Sequence, residues 1–240
     1  MLLTVDIGNT SIKWGLFDAE RLKHHGRCAD ASALAAAVPM EVTEAAVASV
    51  VPSMTDAVCE AIEKRFAVKV LVVGRDFHVK MENLCSVPER VGADRLLNAL
   101  AAFDRARGAC VVVDAGSAIT VDAVDEKGRF LGGAIAPGPE LQAHALHEHT
   151  ALLPPAPFAK PQSALGRNTE QSIQSGIYWG SLGAIAELVR QISPHAGEHA
   201  QLFATGGHGQ LLVSETTGIM TSDPYLTLRG IRLAHEARHR

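Results

Sequence analysis

The sequence lacks the features that mark several common classes of protein. Its four cysteines are Cys28, Cys59, Cys85 and Cys110, and no two of them form a Cys-x-x-Cys pair. This spacing argues against a structural zinc site or a small disulfide scaffold. The sequence contains no run of about 20 apolar residues, the length needed to span a bilayer. Its first residues lack the basic region and the apolar stretch of a signal peptide. We therefore expect a cytoplasmic protein that does not associate with membranes.

Strong charge of either sign is also missing. The formal net charge is -4 at pH 7, and lysines and arginines do not cluster as they do in proteins that bind nucleic acids. The sequence contains neither a P-loop of the form Gly-x-x-x-x-Gly-Lys-Ser/Thr nor a Gly-x-Gly-x-x-Gly turn after a strand. A nucleotide, if one binds, must be held by another kind of loop.

Short β-rich runs alternate with helical stretches along the 240 residues, which indicates an α/β fold. We predict strands at 2–7, 12–17, 44–51, 69–73, 109–114, 118–122 and 202–204. We predict helices at 54–66, 94–107 and 171–192, and a further helix through His144. The segment 132–140 is rich in Gly and Pro and is predicted to be a loop.

One pattern occurs twice in the sequence. A strand ends in Asp6-Ile-Gly8-Asn9-Thr10 near the start of the chain, and another ends in Asp114-Ala-Gly116-Ser117 in the second half. Each is followed by a second short strand. The repeat suggests an internal duplication, with one domain at 1–108 and another at 109–240.

The first of these turns has the composition of a phosphate-binding loop. Gly8 permits close approach of the backbone to a ligand, and the Thr10 hydroxyl and backbone N–H groups could face phosphate oxygens. Asp6 could hold hydrated Mg²⁺, and Lys13 could add positive charge near a phosphate. An ordinary β-hairpin turn explains the same residues equally well. Two such turns followed by a glycine pair, here Gly206-Gly207 after a strand, are typical of actin-like phosphotransferases.

The segment Gly92-Ala93-Asp94-Arg95 opens a leucine-rich helix. Asp94 could serve as a helix cap, since an anion is favoured in the first turn of a helix. It could instead be a general base that accepts a hydroxyl proton in phosphoryl transfer. The local sequence leaves both interpretations open, with Arg95 as a candidate anion ligand.

Taken in order, these motifs resemble those of type III pantothenate kinases. The matching segments are Asp-Ile-Gly-Asn-Thr-Ser-Ile-Lys at 6–13, Gly-Ala-Asp-Arg at 92–95, Asp-Ala-Gly-Ser-Ala at 114–118, Gly-Gly-Ala-Ile-Ala-Pro-Gly at 132–138, Thr-Gly-Gly at 205–207 and Asp-Pro-Tyr-Leu-Thr-Leu-Arg-Gly at 223–230. The resemblance covers nearly the whole chain. It implies two ribonuclease H-like domains that flank a nucleotide cleft, as in actin-like ATPases.

The resemblance implies phosphorylation of pantothenate by ATP, the first step of coenzyme A biosynthesis. It implies that Asp94 is the catalytic base, that Asp114 is the ligand of a monovalent cation, K⁺ or NH₄⁺, and that Asp6 holds Mg²⁺ through water. It further assigns two groups of contacts. For ATP they are Asp6, Gly8, Asn9, Thr10, Lys13, Ser117, Gly206 and Gly207; for pantothenate they are Gly92, Ala93, Asp94, Arg95 and Thr169.

The same resemblance implies a homodimer. One residue departs from the family pattern: Cys85 stands where these kinases usually have a tyrosine, so the substrate contact expected from that tyrosine is in doubt. Two rival functions are open at this stage. One is a phosphohydrolase of the same superfamily, and the other is an accessory protein that keeps the fold without turnover.

Overall fold

The computed structural model describes residues 1–209 and 221–238. The chain forms two compact units. The first comprises Met1–Arg105, Gly128–Phe130 and Tyr225–Arg240, and the second comprises Ala106–Lys127 and Leu131–Pro224, as far as these ranges are described. This differs from the division at residue 108 that the sequence predicted, because the end of the chain packs with the first unit.

Each unit contains one five-stranded sheet. The first sheet has the order β3-β2-β1-β4-β5, and the second has the order β10-β9-β6-β7-β8. The strands of the first sheet are β1 (Leu2–Ile7), β2 (Ile12–Asp18), β3 (Arg21–Cys28), β4 (Glu44–Ser49) and β5 (Val70–Val72). Those of the second are β6 (Cys110–Ala115), β7 (Ala118–Val124), β8 (Phe130–Pro137), β9 (Gln201–Thr205) and β10 (Thr221–Ser222).

The two sheets have the same topology. When the five strands of each sheet are numbered 1 to 5 in chain order, the spatial order of the strands in both sheets is 3-2-1-4-5. In each sheet the first strand is antiparallel to the second and parallel to the fourth. The two Asp-x-Gly motifs therefore occupy equivalent places, at the carboxyl end of the first strand.

Six α-helices cover the sheets in the described residues. They are α1 (Ala31–Ala37), α2 (Pro52–Phe66), α3 (Ala93–Ala106), α4 (Pro139–Glu148), α5 (Thr169–Ala196) and α6 (Leu226–Ala237), and a 3-10 turn spans Pro88–Arg90. The helices predicted at 54–66 and 94–107 are confirmed as α2 and α3, with ends shifted by a residue or two. None of the helices in the described ranges is long and apolar enough to cross a membrane.

Alternation along β1 decides which side chains face which helices. One face carries Leu3, Val5 and Ile7, which pack with residues of α1 and α2. Leu2, on the other face, belongs to the core that includes Leu97 of α3 and the apolar residues of α6. Since side chains alternate along a strand, Asp6 lies on the face of the sheet that α3 and α6 cover.

The prediction of a loop at 132–140 is wrong for most of that segment, since β8 spans Phe130–Pro137. Gly133, one of the glycines that suggested a loop, lies inside the strand and is required by its packing. A Cβ atom at Gly133 would lie 2.0 Å from the carbonyl oxygen of Val121 in the neighbouring strand. Sequence analysis also missed β3, an edge strand whose side chains are mostly polar and exposed and which therefore lacks an apolar alternation.

Helix α6 packs tightly on α3. The Thr227 hydroxyl donates a 2.8 Å hydrogen bond to Oδ1 of Asn98, and both residues are buried. At Gly230 the helices are so close that a Cβ atom would lie 2.1 Å from the carbonyl oxygen of Leu97. These contacts explain why the end of the chain belongs to the first unit, and they fix the helix that carries Asp94.

We expect Gly230→Ala to destabilise the first unit, even though alanine is the better helix former. The new methyl group must displace the α3 backbone, and overpacking of this kind costs about 1–3 kcal/mol. The matched control is Gly183→Ala in α5, where a Cβ atom meets nothing within 4 Å and where the change adds up to about 1 kcal/mol of helix stability. Urea unfolding followed by circular dichroism measures both variants. Equal midpoints for Gly230→Ala and the wild type would contradict this packing.

Candidate active site

The first unit carries an aspartate and a lysine on the two neighbouring strands of its first hairpin. Asp6 of β1 is paired in register with Lys13 of β2. The connecting turn is closed by a 3.2 Å hydrogen bond from the Gly8 N–H to the Ser11 carbonyl oxygen. Asn9 and Thr10 are exposed at its tip. The hairpin thus places a carboxylate, an ammonium group and an accessible turn close to one another.

Asp94 lies in the first turn of α3 and is half-buried. Its Oδ1 atom accepts a 2.9 Å hydrogen bond from the backbone N–H of Arg95, which satisfies one of the N–H groups that a helix start leaves open. A Cβ atom at Gly92 would lie only 2.5 Å from the same oxygen. Glycine at position 92 therefore leaves the room that this carboxylate occupies, while Oδ2 takes no part in the bond to Arg95.

Phe130 joins two parts of the first unit that sequence analysis treated separately. The Arg95 guanidinium carbon lies 5.5 Å from the centroid of the Phe130 ring, within reach of a cation–π interaction. The Phe130 N–H donates a 2.8 Å hydrogen bond to the Glu82 carbonyl oxygen, and the Phe130 carbonyl oxygen accepts a 2.9 Å hydrogen bond from the Leu84 N–H. Cys85 follows directly and donates its N–H to Asn83. The segment with Cys85 and the Arg95 side chain are thus both anchored on Phe130.

In the second unit, the Gly116-Ser117 turn packs against the start of α4. The turn is closed by a 2.9 Å hydrogen bond from the Gly116 N–H to the Ala118 carbonyl oxygen. Gly138, the N-cap residue of α4, donates its N–H to the Ser117 carbonyl oxygen at 3.0 Å. A Cβ atom at Gly138 would lie 2.2 Å from the Gly116 carbonyl oxygen. The electropositive end of a helix, a common anion-binding feature, therefore begins beside Ser117.

The glycine pair after β9 lies against the same strand end. Gly206 has a φ of +91°, and a Cβ atom there would lie 2.4 Å from the Ala115 carbonyl oxygen and 2.5 Å from Oδ1 of Asp114. Gly207 is exposed. The structure thus brings Asp114, Ser117 and the glycine pair together around the carboxyl end of β6, and only glycine fits at position 206.

Thr205 adds a polar group that sequence analysis did not predict as part of the site. It is the register partner of Asp114 in the parallel pair β6 and β9. Thr205 is 2% exposed, and its hydroxyl oxygen has no hydrogen-bond partner among residues 1–209 and 221–238. Leaving a buried hydroxyl unpaired costs about 1–3 kcal/mol. An oxygen donor beside a carboxylate is what an alkali cation prefers, so these residues fit a cation at Asp114.

Thr169 is the first residue of α5 and is exposed. The preceding residue, Asn168, caps the helix by accepting a 2.8 Å hydrogen bond from the Gln171 N–H. Thr169 belongs to the second unit, whereas Gly92, Ala93 and Arg95 belong to the first.

Comparison with known proteins adds a family to this geometry. The family model described as type III pantothenate kinase matches residues 2–191. A type III pantothenate kinase of Dehalococcoides mccartyi is 39% identical over 254 residues, which cover 98% of this chain and 97% of that protein.

Two solved structures are similar in fold. One is a conserved putative Baf family transcriptional activator from Campylobacter jejuni, with a TM-score of 0.61 at 19% identity, covering 99% of this chain and 98% of that one. The other is a putative 2-dehydro-3-deoxygalactonokinase from Sinorhizobium meliloti, with a TM-score of 0.60 at 13% identity, covering 99% and 96%. The predicted fold class, α/β with two ribonuclease H-like units, is confirmed.

Proposed function

Since the chain belongs to the type III pantothenate kinase family, we propose that it transfers the γ-phosphoryl group of ATP to the primary hydroxyl of pantothenate. The product is 4'-phosphopantothenate, the first intermediate on the way to coenzyme A. The observation that carries this proposal is the convergence of Asp114, Ser117 and Gly206 on one strand end in a chain of this family. Phosphoryl transfer depends mainly on positioning and charge stabilisation, which such a rigid arrangement favours.

Each unit carries a turn that would contact the phosphates of ATP. In the first unit the contacts are Gly8, Asn9, Thr10 and Lys13. In the second they are the Ser117 hydroxyl and the start of α4, while the adenine or ribose of ATP would pack on the backbone of Gly206 and Gly207. Backbone N–H groups at tight turns and helix starts bind anions without a large conformational change. The exposed position of Asn9, Thr10 and Gly207 supports this assignment.

Asp6 is the residue that would hold Mg²⁺, through water. Mg²⁺ is usually bound by one or two carboxylates together with waters and substrate phosphates. Asp6 fits that role because it is the second-last residue of β1, beside the phosphate turn. The ion offsets phosphate charge when it is bound. We place the enzyme in the cytoplasm, where its four free cysteines stay reduced.

Asp94 would orient the pantothenate hydroxyl and accept its proton. The bond from the Arg95 N–H fixes Oδ1, which leaves Oδ2 as the oxygen for the substrate. Arg95, with Gly92, Ala93 and Thr169, would contact pantothenate itself. The Arg95 side chain suits the pantothenate carboxylate, since a guanidinium group binds carboxylates through two parallel hydrogen bonds.

We expect Asp94→Asn to lower kcat by about 10²–10⁴-fold, the usual contribution of a general base. The amide oxygen can still accept the bond from the Arg95 N–H, so ATP affinity and thermal stability should stay unchanged. ADP release measured with a coupled assay gives kcat, and calorimetry gives the ATP affinity. The control is Asp18→Asn, since Asp18 lies at an exposed site with Lys23 as its ion-pair partner. A near-normal kcat for Asp94→Asn would show that Asp94 is only a helix cap.

A monovalent cation, K⁺ or NH₄⁺, would be held by Asp114 together with the Thr205 hydroxyl. We expect the wild-type enzyme to be active in K⁺ or NH₄⁺ buffer and nearly inactive in Na⁺ buffer. Asp114→Ala should remove this dependence and most of the activity. It should also abolish any rise in Tm that K⁺ causes in the wild type. Equal wild-type rates in K⁺ and Na⁺ would contradict the cation requirement.

The second unit also supports a homodimer. Among its described residues, the exposed large apolar side chains are Ile135, Leu141, Leu146, Leu152, Leu165 and Trp179. Large apolar side chains that stay exposed in a single chain are often covered in a protein–protein interface. We propose that a second copy of the chain covers them.

Sedimentation equilibrium tests this association. The wild type should have twice the 25.4 kDa mass of one chain, and Trp179→Glu should move the equilibrium towards the monomer. Met40→Glu, at an exposed apolar residue of the first unit, should leave the dimer intact. A wild-type mass of one chain at micromolar concentration would rule the dimer out.

A further inference from the structure

His208 and Glu140 form a hydrogen-bonded pair that nothing in the sequence motifs predicts. The His208 Nε2 atom lies 2.6 Å from Oε1 of Glu140. An ionised carboxylate only accepts hydrogen bonds, so Nε2 carries the proton and donates it. His208 directly follows the glycine pair, and Glu140 lies in the first turn of α4. The pair therefore ties together the two segments that approach the carboxyl end of β6.

The imidazole ring is held in place from two further directions. The backbone N–H of His208 donates a 2.9 Å hydrogen bond to the carbonyl oxygen of Ala115. The Phe158 ring meets the imidazole edge to face, with 4.9 Å between the centroids, and Phe158 in turn stacks on the buried Tyr178. The His208 side chain is 24% exposed. Its position is thus fixed by contacts other than the one with Glu140.

Glu140 is in an unfavourable place for an enzyme that binds phosphates. The start of α4 lies beside Ser117 through the bond from Gly138, and the N–H groups of this helix start suit an anion. The Glu140 carboxylate, in the same turn and 58% exposed, competes for that positive end and repels a phosphate. Like charges a few ångströms apart disfavour each other unless a partner offsets one of them.

We propose that His208 is a positioning residue for nucleotide binding, which holds the Glu140 carboxylate in a hydrogen bond and so weakens its repulsion of a triphosphate at the start of α4. This inference rests on the proposed binding of ATP by the second unit. It predicts that the pair acts on the charged phosphates and has no direct effect on the nucleoside. Loss of His208 should therefore be harmful only while Glu140 is present.

The experiment measures ATP and adenosine affinities by calorimetry, without pantothenate, for a set of variants. His208→Ala should weaken ATP binding about tenfold and leave adenosine binding unchanged, since an unpartnered Glu140 carboxylate repels only the phosphates. The double variant with Glu140→Gln should bind ATP as the wild type does. Glu140→Gln alone should bind ATP as well as the wild type or better. The control is Glu187→Gln, at an exposed carboxylate that pairs with Arg190.

Kinetics supply a second measurement. His208→Ala should raise the KM for ATP and leave the KM for pantothenate unchanged. His208→Gln serves if the alanine variant does not fold, and Glu140→Gln should restore its ATP affinity in the same way. Parallel loss of ATP and adenosine binding, or no recovery in the double variant, would overturn the proposal and leave a purely structural role. A wild type that binds no ATP would overturn the proposed function as well, whereas normal ATP binding by every variant would overturn this inference alone.

Discussion

Backbone segments pack closely around the carboxyl end of β6, and the candidate ligand-binding groups of the second unit depend on this close packing for their positions. Gly138 and Gly206 approach Gly116, Ala115 and Asp114 so closely that no side chain would fit at either glycine. Three separate segments, the turn after β6, the start of α4 and the loop after β9, are therefore held within a few ångströms of one another. Groups that stay fixed in this way need little reorganisation when a charged ligand binds, which is how enzymes stabilise charge most effectively.

In the first unit, the packing of α6 on α3 holds the candidate site residue Asp94 in place in a comparable way. The buried bond between Thr227 and Asn98 and the close approach of Gly230 to Leu97 fix the helix that begins with Asp94. Helix α6 comes from the end of the chain, yet it completes the core beneath a residue more than a hundred positions earlier. The position of Asp94 is thus set by tertiary packing, and Gly92 leaves the space that its carboxylate occupies.

Local chemistry explains which features could be predicted from the sequence. The Asp-x-Gly turns and the strands that flank them were predictable, because alternating apolar residues and turn glycines act within a few positions. Strand β8 was not, since its glycines serve contact with β7 and look like loop residues. The pairing of Thr205 with Asp114, the contact of Arg95 with the Phe130 ring and the pair of His208 with Glu140 join residues far apart in the chain. Such contacts depend on the folded structure and leave no local pattern.

The most direct test of this account is ADP release from ATP by the purified protein in K⁺ buffer with Mg²⁺, measured with and without pantothenate. Our account predicts ADP formation only when pantothenate is present, with one 4'-phosphopantothenate formed for each ADP. Equal ADP release without pantothenate would indicate a phosphohydrolase. No ADP release under either condition, from a folded protein that binds ATP, would indicate an accessory protein and contradict the proposed kinase activity.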